Sequence, residues 1–284
     1  MSWGIVLARD VVLATGPDTA AYLQGQLSQD VGTLTVGASA ASLLLTPQGH
    51  LVALLRVTRT GDEAFALDVE AGAGAAVLAR LQRFLLRTKT ALSLVDWACI
   101  AVRGDGAAAP TAVPEGVWVV DPETPGVPGY DLLGPAAAIP LQVAAGDAAA
   151  YEALRIERGV PRAGSELTER TIPGEANIVE RTVSFTKGCY TGQELVARID
   201  SRGGNVPRRL RGIVVEGPSV PPVGATVVVA GTEVGSITSS AASTTLGAPV
   251  ALAYAKRGTE VPSTCELRWP EGSATGRIVE LPLT

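Results

Sequence analysis

The chain has 284 residues and a mass of 29.1 kDa, which at about 100–200 residues per domain accommodates two or three domains. Apolar residues make up 46% and charged residues 18%, which excludes a disordered chain; the net charge of −5 argues against a general nucleic-acid binder. Mean hydropathy is +0.27, but no run of about 18 apolar residues occurs and MSWGIVLARD is not a secretory signal, so no membrane span and a cytoplasmic address are expected.

In chain order, Ile5-Val6-Leu7 and Val11-Val12-Leu13 predict two short strands. Thr15-Gly16-Pro17-Asp18 is a helix start, with a Thr three residues ahead of an acid and Pro in the first turn. That helix is expected to reach Gln29, with Ala20, Leu23 and Leu27 on one face. Segments 41–46, 51–59 and 63–69, parted by Pro47-Gln48-Gly49 and Gly61-Asp62, predict an antiparallel meander. Residues 71–87 turn to helical period, with Val77, Leu78, Leu81, Phe84 and Leu85 as the buried stripe, and one strand follows near 91–102. This succession predicts an α+β layer. Gly- and Pro-rich loops at 104–116 and 121–129 flank a short strand at 117–120. Asp147 is placed to cap a helix from Ala148 to Glu157, stopped by Gly159 and Pro161. Beyond a linker at Gly203–Pro207, six β-rich runs (212–215, 225–230, 234–238, 249–254, 264–269 and 276–280) predict a small barrel or sandwich.

Three cysteines, Cys99, Cys189 and Cys265, are too scattered for a CxxC pair and read as free thiols; their spacing predicts no resident iron–sulfur cluster. His50 is the only histidine, which removes HExxH zinc sites and two-histidine iron sites, and no GxSxG elbow accompanies it. Its ordinary reading is a turn residue facing water. Gly72-Ala73-Gly74 has the look of a dinucleotide fingerprint, with Asp96 where a ribose acid would sit. Val77 stands where that motif needs a small residue, and a flexible Ala/Gly helix entry is the simpler reading.

The richer run is Lys187-Gly188-Cys189-Tyr190-Thr191-Gly192-Gln193-Glu194. Thr191 and Glu194 have capping-box spacing, so a helix is predicted from Thr191 with Cys189 just ahead of its N-terminus. The helix dipole and the Lys187 ammonium are both expected to lower the thiol pKa from its free value of about 8.5, giving a nucleophilic or redox-active thiolate. Gly188 and Gly192 would let a flat ligand approach the backbone. The plainer alternative packs Cys189 as a small hydrophobe and leaves Glu194 only as a cap.

This run resembles the Lys-Gly-Cys-(Phe/Tyr)-x-Gly-Gln-Glu signature of the YgfZ family, folate-binding iron–sulfur cluster maintenance proteins related to the glycine-cleavage T-protein. Further stretches are similar in the same order: Tyr22–Val31, Thr46–His50, Arg155–Pro161, Ile172–Asn177 and Arg208-Arg209-Leu210. The resemblance implies an α+β, three-domain ring. Residues 1–47 with 146–207 would form a discontinuous folate-binding domain, 48–145 a ferredoxin-like insertion, and 208–284 a C-terminal β-barrel. It implies tetrahydrofolate as the cofactor, lying against the signature loop, with Glu175 on the pterin ring. A carboxylate suits the adjacent N–H donors of an aminopyrimidine edge. Asn177, Tyr190, Gln193 and Glu194 would line the same site. A basic stretch of Arg198, Arg202, Arg208, Arg209 and Arg211, with Asp200 its only acid, is suited to an anionic glutamate tail, Arg198 and Arg209 above all.

The function implied is support of iron–sulfur cluster assembly or repair in other proteins, with Cys189 as the reactive thiol and Lys187 beside it. Its partners would be reduced folate and iron–sulfur client or assembly proteins. The aminomethyltransferase branch carries acids after the Gly that opens its meander, whereas Gly49-His50-Leu51-Val52-Ala53-Leu54 holds none. A folate-dependent aminomethyl transferase or demethylase therefore stands as the alternative, with an inert scaffold and a nicotinamide oxidoreductase behind it.

Overall fold

The computed structural model describes residues 2–139, 144–201 and 203–283. In chain order the first elements are β1 (Trp3–Leu7), β2 (Arg9–Thr15), α1 (Thr19–Gln26), β3 (Ser39–Leu45), β4 (Leu51–Gly61) and β5 (Ala64–Glu70). Then come α2 (Gly74–Gln82), β6 (Ala91–Val95), β7 (Trp97–Arg103), β8 (Trp118–Val120) and β9 (Gly129–Pro135). Three helices follow, α3 (Ala148–Glu157), α4 (Val179–Thr182) and α5 (Gln193–Ser201). The last strands are β10 (Arg208–Val215), β11 (Thr226–Val229), β12 (Thr232–Ser243), β13 (Ala248–Lys256), β14 (Ser263–Trp269) and β15 (Gly272–Val279). The chain forms two compact units: residues 1–123, 127–145 and 179–198 make the first, and 124–126, 146–178 and 199–284 the second.

In the first unit a five-stranded antiparallel sheet has the order β3-β4-β5-β2-β6, and a four-stranded sheet the order β1-β7-β9-β8. The meander is the β3-β4-β5 part of the larger sheet. The 47/48 boundary lies in the turn between β3 and β4, and β2 from the N-terminal segment pairs with β5 and β6. Leu23 and Leu27 with Val77 and Leu81 of α2 cover one face of this sheet, over Val12, Leu55, Val57, Phe65 and Leu67. Its other face meets the smaller sheet through Val11, Ala66, Cys99, Val120 and Leu133.

Several elements depart from expectation, each for a local reason. Helix α1 stops at Gln26 because Leu27 turns extended (φ −100°, ψ 149°) and bridges to Leu44. No side chain caps its start; Asp18 instead accepts a hydrogen bond from the Lys89 amide at 2.7 Å. The strand expected near 91–102 is two strands parted at Asp96, since β6 is the edge of the larger sheet and β7 lies between β1 and β9 in the other. Strand β9 was hidden by its Gly- and Pro-bounded sequence. The Gly72-Ala73-Gly74 turn is already filled: the amides of Gly72 and Gly74 both donate to Asp10 Oδ2 at 2.8 Å, and β5 ahead of it is antiparallel to its neighbours. That removes the dinucleotide reading.

The second unit contains the closed barrel β10-β13-β12-β11-β14-β15, and all its pairings are antiparallel. All six runs became strands, and the β10–β15 pairing decides for a barrel over a sandwich. On β13, Ala251, Ala253 and Ala255 point into the barrel core, while Val250, Leu252 and Tyr254 face outward beside Ile156 of α3. Burial on both faces explains why β13 reads as an unbroken apolar run. Helix α3 has its expected bounds, with Asp147 Oδ1 accepting from the Ala149 amide at 3.0 Å and Gly159 at φ +66° ending it.

Candidate functional site

The signature run lies in the first unit, on a loop whose two flanks are pinned to residues 24–29 at the end of α1. On the entering side, buried Ser28 Oγ donates to the Thr182 carbonyl at 2.6 Å, and the Ser184 amide donates to the Ser28 carbonyl at 3.0 Å. On the leaving side the Thr191 amide donates to the Gly25 carbonyl at 3.1 Å. Between them Lys187 Nζ donates to the carbonyls of Gln24 (2.7 Å), Leu27 (2.7 Å) and Gln29 (2.9 Å). Cys189 sits between these anchor points and is exposed.

The surroundings of the thiol differ from those expected. Helix α5 begins at Gln193, not Thr191, so Cys189 lies four residues ahead of it. The Thr191 hydroxyl leans toward the Gly25 carbonyl (3.5 Å), and Gln193 takes the back-bonding role expected of Glu194, its Oε1 accepting from the Tyr190 amide at 3.2 Å. Glu194 is exposed on the first turn. The Lys187 ammonium is spent on main-chain carbonyls, with the Tyr190 ring 5.3 Å away. Burial pushes Lys187 down to about 8, opposed by Asp30, and burial pushes the Tyr190 hydroxyl up to about 12. Gly192, at φ +85°, serves a contact within the protein: a Cβ there would lie 2.5 Å from the Thr46 carbonyl oxygen. Gly188 alone of the two faces open space.

Glu175, Asn177 and Arg209 belong to the second unit, where residues 175–177 brace the start of β10. The Leu210 amide donates to the Glu175 carbonyl at 2.7 Å, and Asn177 Nδ2 donates to the Leu210 carbonyl at 2.8 Å. Asn177 holds φ +57°, a left-handed conformation that Asn tolerates better than most residues. The Glu175 side chain is buried, and Oε2 accepts from Arg208 Nε at 3.1 Å. Arg208 lies over the Tyr254 ring at 4.2 Å. Arg209 points to the opposite side of the strand and donates to the Gly204 carbonyl at 2.6 Å. Arg208 is thus the Glu175 partner that sequence reasoning missed, although strand alternation around buried Leu210 carried the signal. Arg211 pairs with Glu280 at 2.7 Å, Arg198 is exposed on α5, and Arg202 lies outside the described residues.

Tetrahydrofolate needs an anionic acceptor for its aminopyrimidine edge and cations for its carboxylate tail. The second unit holds one group of each kind, a buried carboxylate in Glu175 and a guanidinium in Arg209, although one Glu175 oxygen already accepts from Arg208 and Arg209 already donates to the Gly204 carbonyl.

A buried ionic network between the two sheets of the first unit escaped sequence analysis. Arg56 donates to both oxygens of Asp68 (2.9 and 3.0 Å) and to Asp131 at 2.6 Å; Arg9 pairs with Asp68 and Glu123, both at 2.7 Å, and Arg103 with Asp131 at 2.6 Å. Burial alone would raise the Asp68 carboxyl, but the Arg56 and Arg9 guanidiniums hold it below its usual range. The detectable signal was a charge at an inward position of an apolar strand, since Arg56 and Asp68 face each other across β4 and β5. Cys99 abuts this network, Arg56 Nη2 lying 3.3 Å from its sulfur, and burial together with Asp131 pushes the thiol up to about 12. Burial in the barrel core pushes Cys265 up to about 11.

An α+β chain with a closed terminal barrel and an anchored, thiol-bearing loop defines a class as well as a fold, and comparison with known proteins agrees. Residues 208–284 match the glycine cleavage T-protein C-terminal barrel domain. An aminomethyltransferase from Thermus thermophilus is 30% identical over 90% of this chain and 80% of its own length. The tRNA-modifying protein YgfZ of Pectobacterium atrosepticum is 30% identical over 69% of this chain and 66% of the relative. The mitochondrial iron–sulfur cluster assembly factor IBA57 homologue of Mycosarcoma maydis is 29% identical over 69% of the chain and 53% of the relative, so the chain spans less than two thirds of either of these two. In fold, the crystal structure of the glycine cleavage system aminomethyltransferase T from Bartonella henselae superposes with a TM-score of 0.87 at 19% identity, covering 100% of this chain and 86% of that one. The chain belongs to the YgfZ/GcvT-like family. Among the described residues, no helix is long and apolar enough to cross a membrane.

Proposed function

We propose that this protein is a cytoplasmic tetrahydrofolate-binding factor that supports assembly or repair of iron–sulfur clusters in client proteins. Relatives named as an iron–sulfur cluster assembly factor and as YgfZ support the cluster-related part. The observation that carries the chemical part is the exposed Cys189 on a loop anchored on both sides, in a chain whose other two thiols are buried. Cys189 acts as the exchangeable sulfur nucleophile. Glu175 accepts the aminopyrimidine edge, and Arg209 of the same unit meets a glutamate carboxylate. In cells deprived of the protein, the wild-type chain restores the activity of iron–sulfur enzymes and Cys189→Ala does not; restoration by Cys189→Ala contradicts the role of the thiol.

The likeness to aminomethyltransferases supports a second reading, folate-dependent one-carbon transfer. Against it stands the absence of an acid in Gly49–Leu54, which leaves no carboxylate in that stretch to handle a proton. Production of methylene-tetrahydrofolate from a methylated amine at catalytic turnover would decide for the transferase.

A further inference from the structure

Lys187 stands beside the thiol in sequence, yet its charge is directed elsewhere. Its three N–H donors converge on the carbonyls of Gln24, Leu27 and Gln29 at 2.7–2.9 Å, around the C-terminus of α1. A helix C-terminus presents unpaired carbonyls and the negative end of the dipole, so it favours a cation. An ammonium carries three donors on one nitrogen, whereas no guanidinium nitrogen carries more than two, so an Arg here cannot meet three acceptors that converge on a single atom. The Asp30 carboxylate acts on this ammonium, and the Tyr190 ring lies 5.3 Å away. The acceptors are all main chain, so the residue types at 24, 27 and 29 gave no sign of the contact.

We propose that Lys187 is a positioning residue, a three-pronged tether fixing the Cys189 loop onto the carbonyl end of α1, and not the group that acts on the sulfur. Its functional importance rests on the reading of Cys189 given above; the tether itself does not. Removing the ammonium releases both flanks, because the Ser184 and Thr191 amides bond to the same 24–29 segment. Retaining the charge as Arg does not restore the loop.

The test is hydrogen exchange on the full chain at pH 7 for wild type, Lys187→Met, Lys187→Arg and Cys189→Ala, reading the Ser184 and Thr191 amides. The barrel amides of Ala251 and Ala253 serve as an internal reference for global opening. Both Lys187 variants are expected to exchange about tenfold or more faster at Ser184 and Thr191, with the barrel amides unchanged, while Cys189→Ala keeps wild-type protection. The pH profile of Cys189 alkylation keeps its midpoint in Lys187→Met. Wild-type protection in either Lys187 variant overturns the tether, and so does a displaced alkylation midpoint in Lys187→Met that Lys187→Arg reverses. Should Cys189→Ala support client enzymes in cells while the Lys187 variants lose protection, the reading of the thiol fails and the tether stands.

Discussion

Accessibility separates the three thiols before any chemistry is considered. Cys99 is 0% and Cys265 2% exposed, with burial raising both thiols, whereas Cys189 is open to solvent. Iodoacetamide should therefore modify one thiol in the folded protein, Cys189, and three in denaturant; mass spectrometry finding rapid native labelling at Cys99 would contradict the packing. Lys187 gives a second expectation at this scale. The chain has three lysines, Lys89, Lys187 and Lys256, so side-chain NMR should show one titrating near pH 8 and lost in Lys187→Met. Its value falls from 10.5 to about 8 on folding, so between those pH values the unfolded chain binds more protons and stability rises with pH across that window. Asn177 gives a third: Asn177→Ala loses the bond to Leu210 and strains φ +57°, costing about 2 kcal/mol in a urea melt, whereas Asn177→Gly loses the bond alone and costs about 1. The sequence made the identity of Cys189 legible but not the direction of Lys187, because backbone carbonyls have no residue signature.

Elements were most legible where one local signal met no competition. Asp147 with Gly159 and Pro161 bounded α3, and no tertiary contact displaced that cap. The capping boxes expected at Thr15–Asp18 and Thr191–Glu194 failed because Asp18 and Thr191 found partners on other segments, Lys89 and Gly25. Gly49 and Gly192 bring the β3–β4 turn against the start of α5: a Cβ on Gly49 would lie 2.6 Å from Leu195 Cβ, and one on Gly192 2.5 Å from the Thr46 carbonyl oxygen. Gly192→Ala should therefore cost about 3 kcal/mol or more, read as a lowered urea midpoint; a near-neutral change would show that this contact yields. The inter-sheet network is as exacting, since removing one partner strands a buried charge. Asp68→Asn is expected to cost about 3–5 kcal/mol at neutral pH. Asp68 is held below its ordinary value, so its stabilisation is present above the unfolded pKa of about 3.9 and is lost as pH falls through the lower folded value. The mutant should lack that acid-sensitive part.

For the whole molecule, alternation and turn spacing announced the barrel, since antiparallel strands with short connections leave a local record at every turn. The first unit was less legible because adjacent strands leave for different sheets: β1 and β2 part company, as do β6 and β7, and neither exchange has a compositional mark. The central claim is that this chain takes a reduced folate through Glu175 and uses Cys189 for chemistry, not for binding. A tetrahydrofolate isotherm on wild type, Glu175→Ala and Cys189→Ala, each checked for folding by its urea midpoint, tests it most directly. The account predicts saturable wild-type binding, equal affinity for Cys189→Ala, and a loss of about tenfold or more for Glu175→Ala. Absence of saturable binding by the wild-type chain, or unchanged affinity in Glu175→Ala, would contradict it.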